Sequence, residues 1–127
     1  MKIALDTNAY VGFCKDHEHV VEQVQRAEQI FMPFVIIGEL RAGFRCGSQG
    51  ENNERILVRF LNSPRVSILY ADEQTTHHYA RLFFQLRKQG TPIPANDLWI
   101  SALVIQHNLY LCAKDHHFDH LPQLPRV

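Results

Sequence analysis

The alternation of short apolar runs with helical stretches is the feature that most restricts the fold of this chain. Four runs have the length and composition of buried strands: Ile3 to Leu5, Ile30 to Met32, Val66 to Tyr70 and Tyr110 to Cys112. Strands that alternate with helices favour a mostly parallel sheet between helical layers. We therefore expect one α/β domain over residues 1–127, a three-layer α/β/α sandwich.

The connecting segments carry the spacing of helices. Apolar residues recur at helical intervals over Asp16 to Glu28, within Val35 to Arg45, from Ile56 to Leu61 and over Asp72 to Gln89. The stretch from Leu98 to Ile105 is apolar on every side and predicts a buried helix. We expect a loop over 47–53, and a tail over 121–127 that adds an edge strand at most.

Composition excludes several classes of protein. Thirteen basic and thirteen acidic residues cancel, so a polyanion would have to be bound by a local patch or through metal ions. Cys14, Cys46 and Cys112 are odd in number and lie in apolar surroundings, so we interpret them as buried hydrophobic residues of a protein in a reducing compartment. No export signal is recognised and no apolar run is long enough to span a bilayer, which predicts a cytoplasmic protein without a membrane partner.

Two acids follow predicted strands. Asp6 ends the first apolar run, and Asp115 follows the last one closely, at the sheet edge where ligands collect in open α/β folds. A structural alternative exists for the first acid, because Asp6, Thr7 or Asn8 would also cap a following helix.

Two further acids lie on predicted helices. Glu39 interrupts an apolar helix, and it either faces a ligand or pairs in solvent with Arg41 or Arg45. Asp97 opens the buried helix, where an unpaired charge is costly, although capping by Asp97 or Asn96 is an alternative role. Ser101 lies one turn further on and is expected to share the face of Asp97.

Right-handed crossovers bring these positions to one edge of the sheet. Converging carboxylates repel each other, and raised pKa values or bound hard cations relieve that repulsion. Oxygen ligands suit Mg²⁺ or Mn²⁺ better than zinc. A site of this kind supports metal-dependent hydrolysis of a phosphodiester by in-line displacement.

The order and spacing of these motifs resemble those of PIN-domain ribonucleases, particularly the VapC-type toxins of toxin-antitoxin systems. The matching segments are Leu5-Asp6-Thr7-Asn8, Gly38-Glu39-Leu40, Asn96-Asp97 followed by Ile100-Ser101-Ala102, and Lys114-Asp115-His116-His117-Phe118-Asp119.

The resemblance implies a Mg²⁺- or Mn²⁺-dependent endoribonuclease that forms a homodimer and is held by a cognate antitoxin whose tail occupies the acidic groove. It assigns catalysis to Asp6, Glu39, Asp97 and Asp115 and metal binding to the three aspartates. Thr7, Asn8 and Ser101 are expected to support them. The chain departs from the family at Ala113, where a Thr or Ser is common, and Asp119 is expected to take part of the role of Asp115.

Two other functions remain open from the sequence. His116, His117 and His120 would ligate a transition metal together with a neighbouring acid. The chain would also serve as a non-catalytic binding module if the missing hydroxyl at Ala113 has abolished catalysis. For the ribonuclease, the residues expected to contact RNA at the groove rim are Arg41, Arg45, Arg55 and Arg59.

Overall fold

A computed structural model describes all residues, 1–127, and contains one parallel sheet of four strands. The strands are β1 (Lys2–Leu5), β2 (Gln29–Pro33), β3 (Val66–Leu69) and β4 (Tyr110–Cys112). Their order across the sheet is β3-β2-β1-β4, and every neighbouring pair is parallel. The predicted α/β sandwich with a mostly parallel sheet is confirmed.

Six helices connect the strands, and a short 3₁₀ helix follows the last strand. They are α1 (Thr7–Cys14), α2 (Glu18–Arg26), α3 (Phe34–Cys46), α4 (Gly50–Leu61), α5 (Glu73–Gln89), α6 (Ala95–Gln106) and the 3₁₀ helix His116–His120. The chain moves outward from β1 to β2 and β3, and then returns past them to β4. Because such crossovers are right-handed, α1–α4 cover one face and α5–α6 the other.

The reversal of strand order creates a crevice between the carboxyl ends of β1 and β4, which is where open α/β sheets bind ligands. The two ends are joined directly, since the Asp6 amide donates to the Cys112 carbonyl at 3.4 Å. Buried residues of the strands and of α6, among them Ile3, Leu103 and Leu111, form the core beneath this crevice. None of the helices has the length and apolarity that crossing a membrane requires.

Local signals at the ends of α5 agree with the sequence. The Asp72 carboxylate accepts from the Thr75 amide at 3.1 Å, and the Thr75 hydroxyl accepts from the Asp72 amide at 3.0 Å, which is a capping box. The helix ends at Gly90, whose φ of 73° is left-handed and suits glycine. At the other end of the chain, the tail adds a single parallel bridge between Leu111 and Arg126 beside β4.

Two helical segments go beyond the helices assigned from the sequence, although the capping alternative at Asp6 implied a helix after β1. Helix α1 begins directly after β1. The residues in its middle are apolar and give it no polar face, so its sequence shows no amphipathic stripe. Helix α4 begins at Gly50, inside the expected loop over 47–53. A Cβ at Gly50 would collide with the Phe44 carbonyl oxygen, so glycine allows α4 to begin close against α3.

The interpretation of the cysteines as buried is wrong for two of them. Cys14 and Cys46 are exposed near the ends of α1 and α3, whereas Cys112 is buried in β4. Burial, together with the nearby Asp6 carboxylate, raises the pKa of the Cys112 thiol to about 11. Cys112 is therefore a neutral core residue.

Candidate active site

Asp6 lies at the end of β1 and is almost fully buried, with 6% of its surface exposed. Its Oδ1 accepts from the Ala9 amide at 2.7 Å and caps α1. Burial raises the pKa of Asp6 to about 6; the Ala9 hydrogen bond opposes the rise, while the charges of Asp97, Asp115 and Glu39 add to it. The structural role and the expected place in the acidic site therefore belong to the same side chain.

Asp97 and Asp115 are joined by one imidazole. His117 Nδ1 lies 2.9 Å from Asp97 Oδ2 and 3.1 Å from Asp115 Oδ1. The His117 amide also donates to Asp115 Oδ1 at 2.9 Å, so Asp115 caps the 3₁₀ helix. Burial raises the pKa of Asp97 and the charge of Asp115 adds to the rise, whereas the contact with His117 opposes it.

Glu39 projects from the middle of α3 and is exposed. Its Oε1 accepts a hydrogen bond from the Thr7 hydroxyl at 3.1 Å, which ties α3 to the start of α1. Arg41 instead binds Glu54 in a bidentate pair, with Nη2 2.9 Å from Oε2. Glu39 is exposed, as the solvent alternative expected, but neither Arg41 nor Arg45 pairs with it.

The other residues expected to support the acids either bond to the backbone or lie outside the acidic cluster. Ser101 is fully buried, and its hydroxyl donates to the Asp97 carbonyl at 2.8 Å rather than to the Asp97 carboxylate. Asn8 is exposed on the first turn of α1. Asp119 pairs with Arg126, 26% of whose side chain is exposed.

Arg126 is a residue that the sequence did not single out. It donates to the Ala113 carbonyl at 2.8 Å and reaches the Asp115 carbonyl at 3.4 Å, so it holds the turn that carries Asp115. Ala113 itself is buried at the point where the family commonly has a hydroxyl. Asp119 therefore acts on this turn through Arg126.

The predicted histidine cluster is divided by the fold. Ligand atoms of Asp115, His116 and His117 lie within 4.8 Å of one another. His120 is not part of this group, and its carbonyl accepts from Gln89 on α5 at 3.0 Å. The sequence placed His117 in a rival metal site, whereas the structure places it between two of the four acids.

Three of the four expected rim arginines share a crevice. Arg41, Arg45 and Arg55 line a cavity of about 1030 Å³ between α3 and α4, together with the loop at Gly47–Gln49. Arg59 lies exposed further along α4, outside the cavity lining. The side chain of Arg41 is held by Glu54, which leaves Arg45 and Arg55 as the cations without an ion pair in this crevice.

The acidic cluster suits a divalent cation. Asp6 is a buried carboxylate with one hydrogen bond, and the charges of Asp97, Asp115 and Glu39 raise its pKa. Carboxylate oxygens at this density are the donors that Mg²⁺ and Mn²⁺ prefer. Acids clustered at the topological switch point of a parallel α/β sheet can hold a cation, and a cation held there can act on a phosphoester; the arrangement is compatible with the class of metal-assisted phosphoester hydrolases.

Comparison with known proteins specifies the class. The model of the PIN domain family matches residues 3–124. Ribonuclease VapC1 of Haemophilus influenzae (strain R2866) is 34% identical over 116 residues, which cover 83% of this chain and 85% of that protein. Ribonuclease VapC4 of Mycobacterium tuberculosis is 30% identical over 90 residues, covering 71% of this chain and 69% of that protein.

The fold agrees with the sequence match. The structure of VapBC-1 from nontypeable Haemophilus influenzae superposes with a TM-score of 0.88 at 29% identity and covers 100% of this chain and 97% of that one. This chain belongs to the PIN domain family and, within it, to the VapC ribonucleases. The expected family and the ribonuclease activity that goes with it are confirmed.

Proposed function

We propose that this VapC-type toxin is an endoribonuclease that depends on Mg²⁺ or Mn²⁺ held by Asp6, Asp97 and Asp115. The observation that carries the proposal is the burial of Asp6 beside three other acids, which raises its pKa to about 6. Such a group is costly in its ionised form unless a cation neutralises it. A divalent cation would supply Lewis-acid stabilisation of charge on the scissile phosphate.

The side chains of the cluster have separate tasks in this proposal. Asp6 is fixed by the Ala9 amide and Asp115 by the His117 amide, so both carboxylates are oriented before any ligand binds. Preorientation of this kind lowers the cost of assembling the site during the reaction. Glu39 is exposed and bonded at one oxygen by Thr7, which leaves the other oxygen to accept a proton from the attacking water.

RNA is the proposed substrate, and the rim arginines are proposed to position it. The chain has no net charge, so its affinity for a polyanion must come from local cations. Arg45 and Arg55 line the crevice without an ion pair and would bind phosphates, whereas Arg41 is engaged by Glu54. Arg59 extends the same charged surface along α4.

An antitoxin and a second copy of the chain are the proposed protein partners. The solved relatives include VapBC-1 from nontypeable Haemophilus influenzae and VapBC2 from Rickettsia felis bound to a promoter DNA fragment. We propose that a cognate antitoxin inserts a tail into the acidic groove, where a basic side chain would complement the four acids. We further propose that the toxin acts in the cytoplasm as a homodimer.

Substitution of the acids tests the chemistry. We expect Asp97→Asn to reduce cleavage of a labelled RNA in Mg²⁺ by more than about a hundredfold, beyond what loss of a supporting group costs. Circular dichroism should show a folded protein. Asp16→Asn is the matched control, because Asp16 is exposed and lies outside the acidic cluster, and we expect it to retain most of the activity.

Two results would contradict this proposal. The first is undiminished cleavage by the Asp97 variant or in excess chelator. The second is a wild-type protein that cleaves no RNA with any divalent ion, which would favour a non-catalytic binding module. The toxin role is tested separately: expression alone should arrest growth, and co-expression of a small neighbouring gene product should relieve the arrest.

A further inference from the structure

His117 occupies the position between two acids of the proposed metal site. Its Nδ1 atom contacts Asp97 Oδ2 at 2.9 Å and Asp115 Oδ1 at 3.1 Å. The side chain is 31% exposed, so the ring is held against the carboxylates rather than extended into solvent. The ring position is also constrained from the backbone, because the His117 amide donates to Asp115 Oδ1 at 2.9 Å.

The distances from His117 Nδ1 to the two carboxylate oxygens are those of neighbouring ligands around one ion, and ligand atoms of His117 and Asp115 belong to a group that lies within 4.8 Å. Ligands in adjacent positions of an octahedral shell with a radius of about 2.1 Å lie ~3.0 Å apart. The measured distances from Nδ1 to the two oxygens, 2.9 and 3.1 Å, fall on either side of that value. Ligation through Nδ1 uses the tautomer that carries its proton on Nε2.

An imidazole among carboxylates changes which ions a site prefers. Oxygen-only sites suit Mg²⁺, whereas a nitrogen donor favours borderline transition ions over Mg²⁺. We propose that His117 is a ligand of the active-site metal through Nδ1, so that this chain binds Mn²⁺, and the related ions Co²⁺ and Zn²⁺, in preference to Mg²⁺. The inference rests on the acidic metal site proposed above.

The neighbouring His116 provides a matched control. His116 is 79% exposed and its Nδ1 lies 3.6 Å from Asp115 Oδ1, farther than a hydrogen bond. It has no contact with Asp97 among the hydrogen bonds and ion pairs of the structure. Ligand atoms of His116 also lie within 4.8 Å of those of Asp115 and His117, so comparison of the two substitutions shows which imidazole binds the ion.

The test measures metal binding in the absence of RNA. Wild-type protein is loaded with Mn²⁺ and examined by electron spin echo envelope modulation. We expect a coupling from directly bound ¹⁴N, which changes to a ¹⁵N coupling when histidine is ¹⁵N-labelled. The coupling should persist in His116→Leu and vanish in His117→Leu.

Calorimetric titration of the same proteins gives the selectivity. We expect His117→Leu to weaken Mn²⁺ binding at least about tenfold and Mg²⁺ binding much less. The inference is wrong if the wild type shows no nitrogen coupling. It is also wrong if His117→Leu loses affinity equally for both ions or gains affinity for both. The wild-type spectrum requires no variant to fold, and cleavage of RNA in Mg²⁺ separates a failure of this inference from a failure of the proposed function.

Discussion

Replacement of Asp6 by asparagine should stabilise the metal-free protein at neutral pH. Asparagine keeps the oxygen that accepts from the Ala9 amide, and it caps helices as well as aspartate does. It removes a charge that the fold disfavours, because burial raises the pKa of Asp6 from 3.8 to about 6. Each pKa unit corresponds to about 1.36 kcal/mol, so the ionised carboxylate costs at most about 3 kcal/mol of unfolding free energy at pH 7.

The sign of the pH dependence follows from the raised pKa. Between pH values near 4 and 6 the folded protein binds more protons at Asp6 than the unfolded chain does. Stability contributed by this group is therefore complete below the unfolded pKa and is lost as pH rises through the folded pKa. The advantage of Asp6→Asn should consequently be large at pH 7.5 and almost absent at pH 4.

Urea denaturation in EDTA at these two pH values measures the difference. Mg²⁺ should reduce the advantage of the variant, because a cation that binds only the folded wild type stabilises it by mass action. Asp119→Asn is the control and should show no comparable gain, since Asp119 is exposed and paired with Arg126. If Asp6→Asn is no more stable than the wild type at pH 7.5 without metal, the interpretation of Asp6 as a disfavoured buried charge is wrong.

Three further outcomes test other parts of the structure. Leu103→Ala should lower the unfolding free energy by about 2–5 kcal/mol in urea denaturation, because Leu103 is fully buried in α6 and its removal leaves a cavity. Thr75→Val should cost about 1–3 kcal/mol in the same assay, since the buried hydroxyl bonds the Asp72 amide at 3.0 Å and Gln106 at 2.5 Å. Combined substitution of Arg45 and Arg55 by alanine should weaken binding of a non-cleavable RNA and reduce the salt dependence of its affinity. Fluorescence anisotropy at several salt concentrations measures both effects. Unchanged affinity would show that the crevice does not bind RNA.

The strands and the acidic site were predictable because local composition and topology determine them. Each strand is a short apolar run, and a parallel sheet with right-handed crossovers brings the ends of β1 and β4 together. The sequence therefore predicts that Asp6, Asp97, Asp115 and Glu39 lie near one another. The electrostatic coupling of Asp6 to the other three acids agrees with that placement.

Helix α1 and the role of His117 could not be predicted in the same way. The apolar interior of α1 has no polar stripe to reveal a helical period. The contact of His117 with Asp97 joins residues 20 positions apart and depends on a 3₁₀ helix that the sequence did not indicate. Long-range contacts made by a short irregular element leave no periodic signal.

Asp6 shows why a structural role and a functional role need not compete for one residue. Capping of α1 requires only an oxygen that accepts from the Ala9 amide, which asparagine or serine would provide equally well. The negative charge adds nothing that the cap requires, and burial beside Asp97 and Asp115 makes it costly near neutral pH. A ligand that offsets this electrostatic cost must be positively charged and must bind where the other acids converge. The presence of aspartate rather than asparagine at this position therefore argues for a cation site.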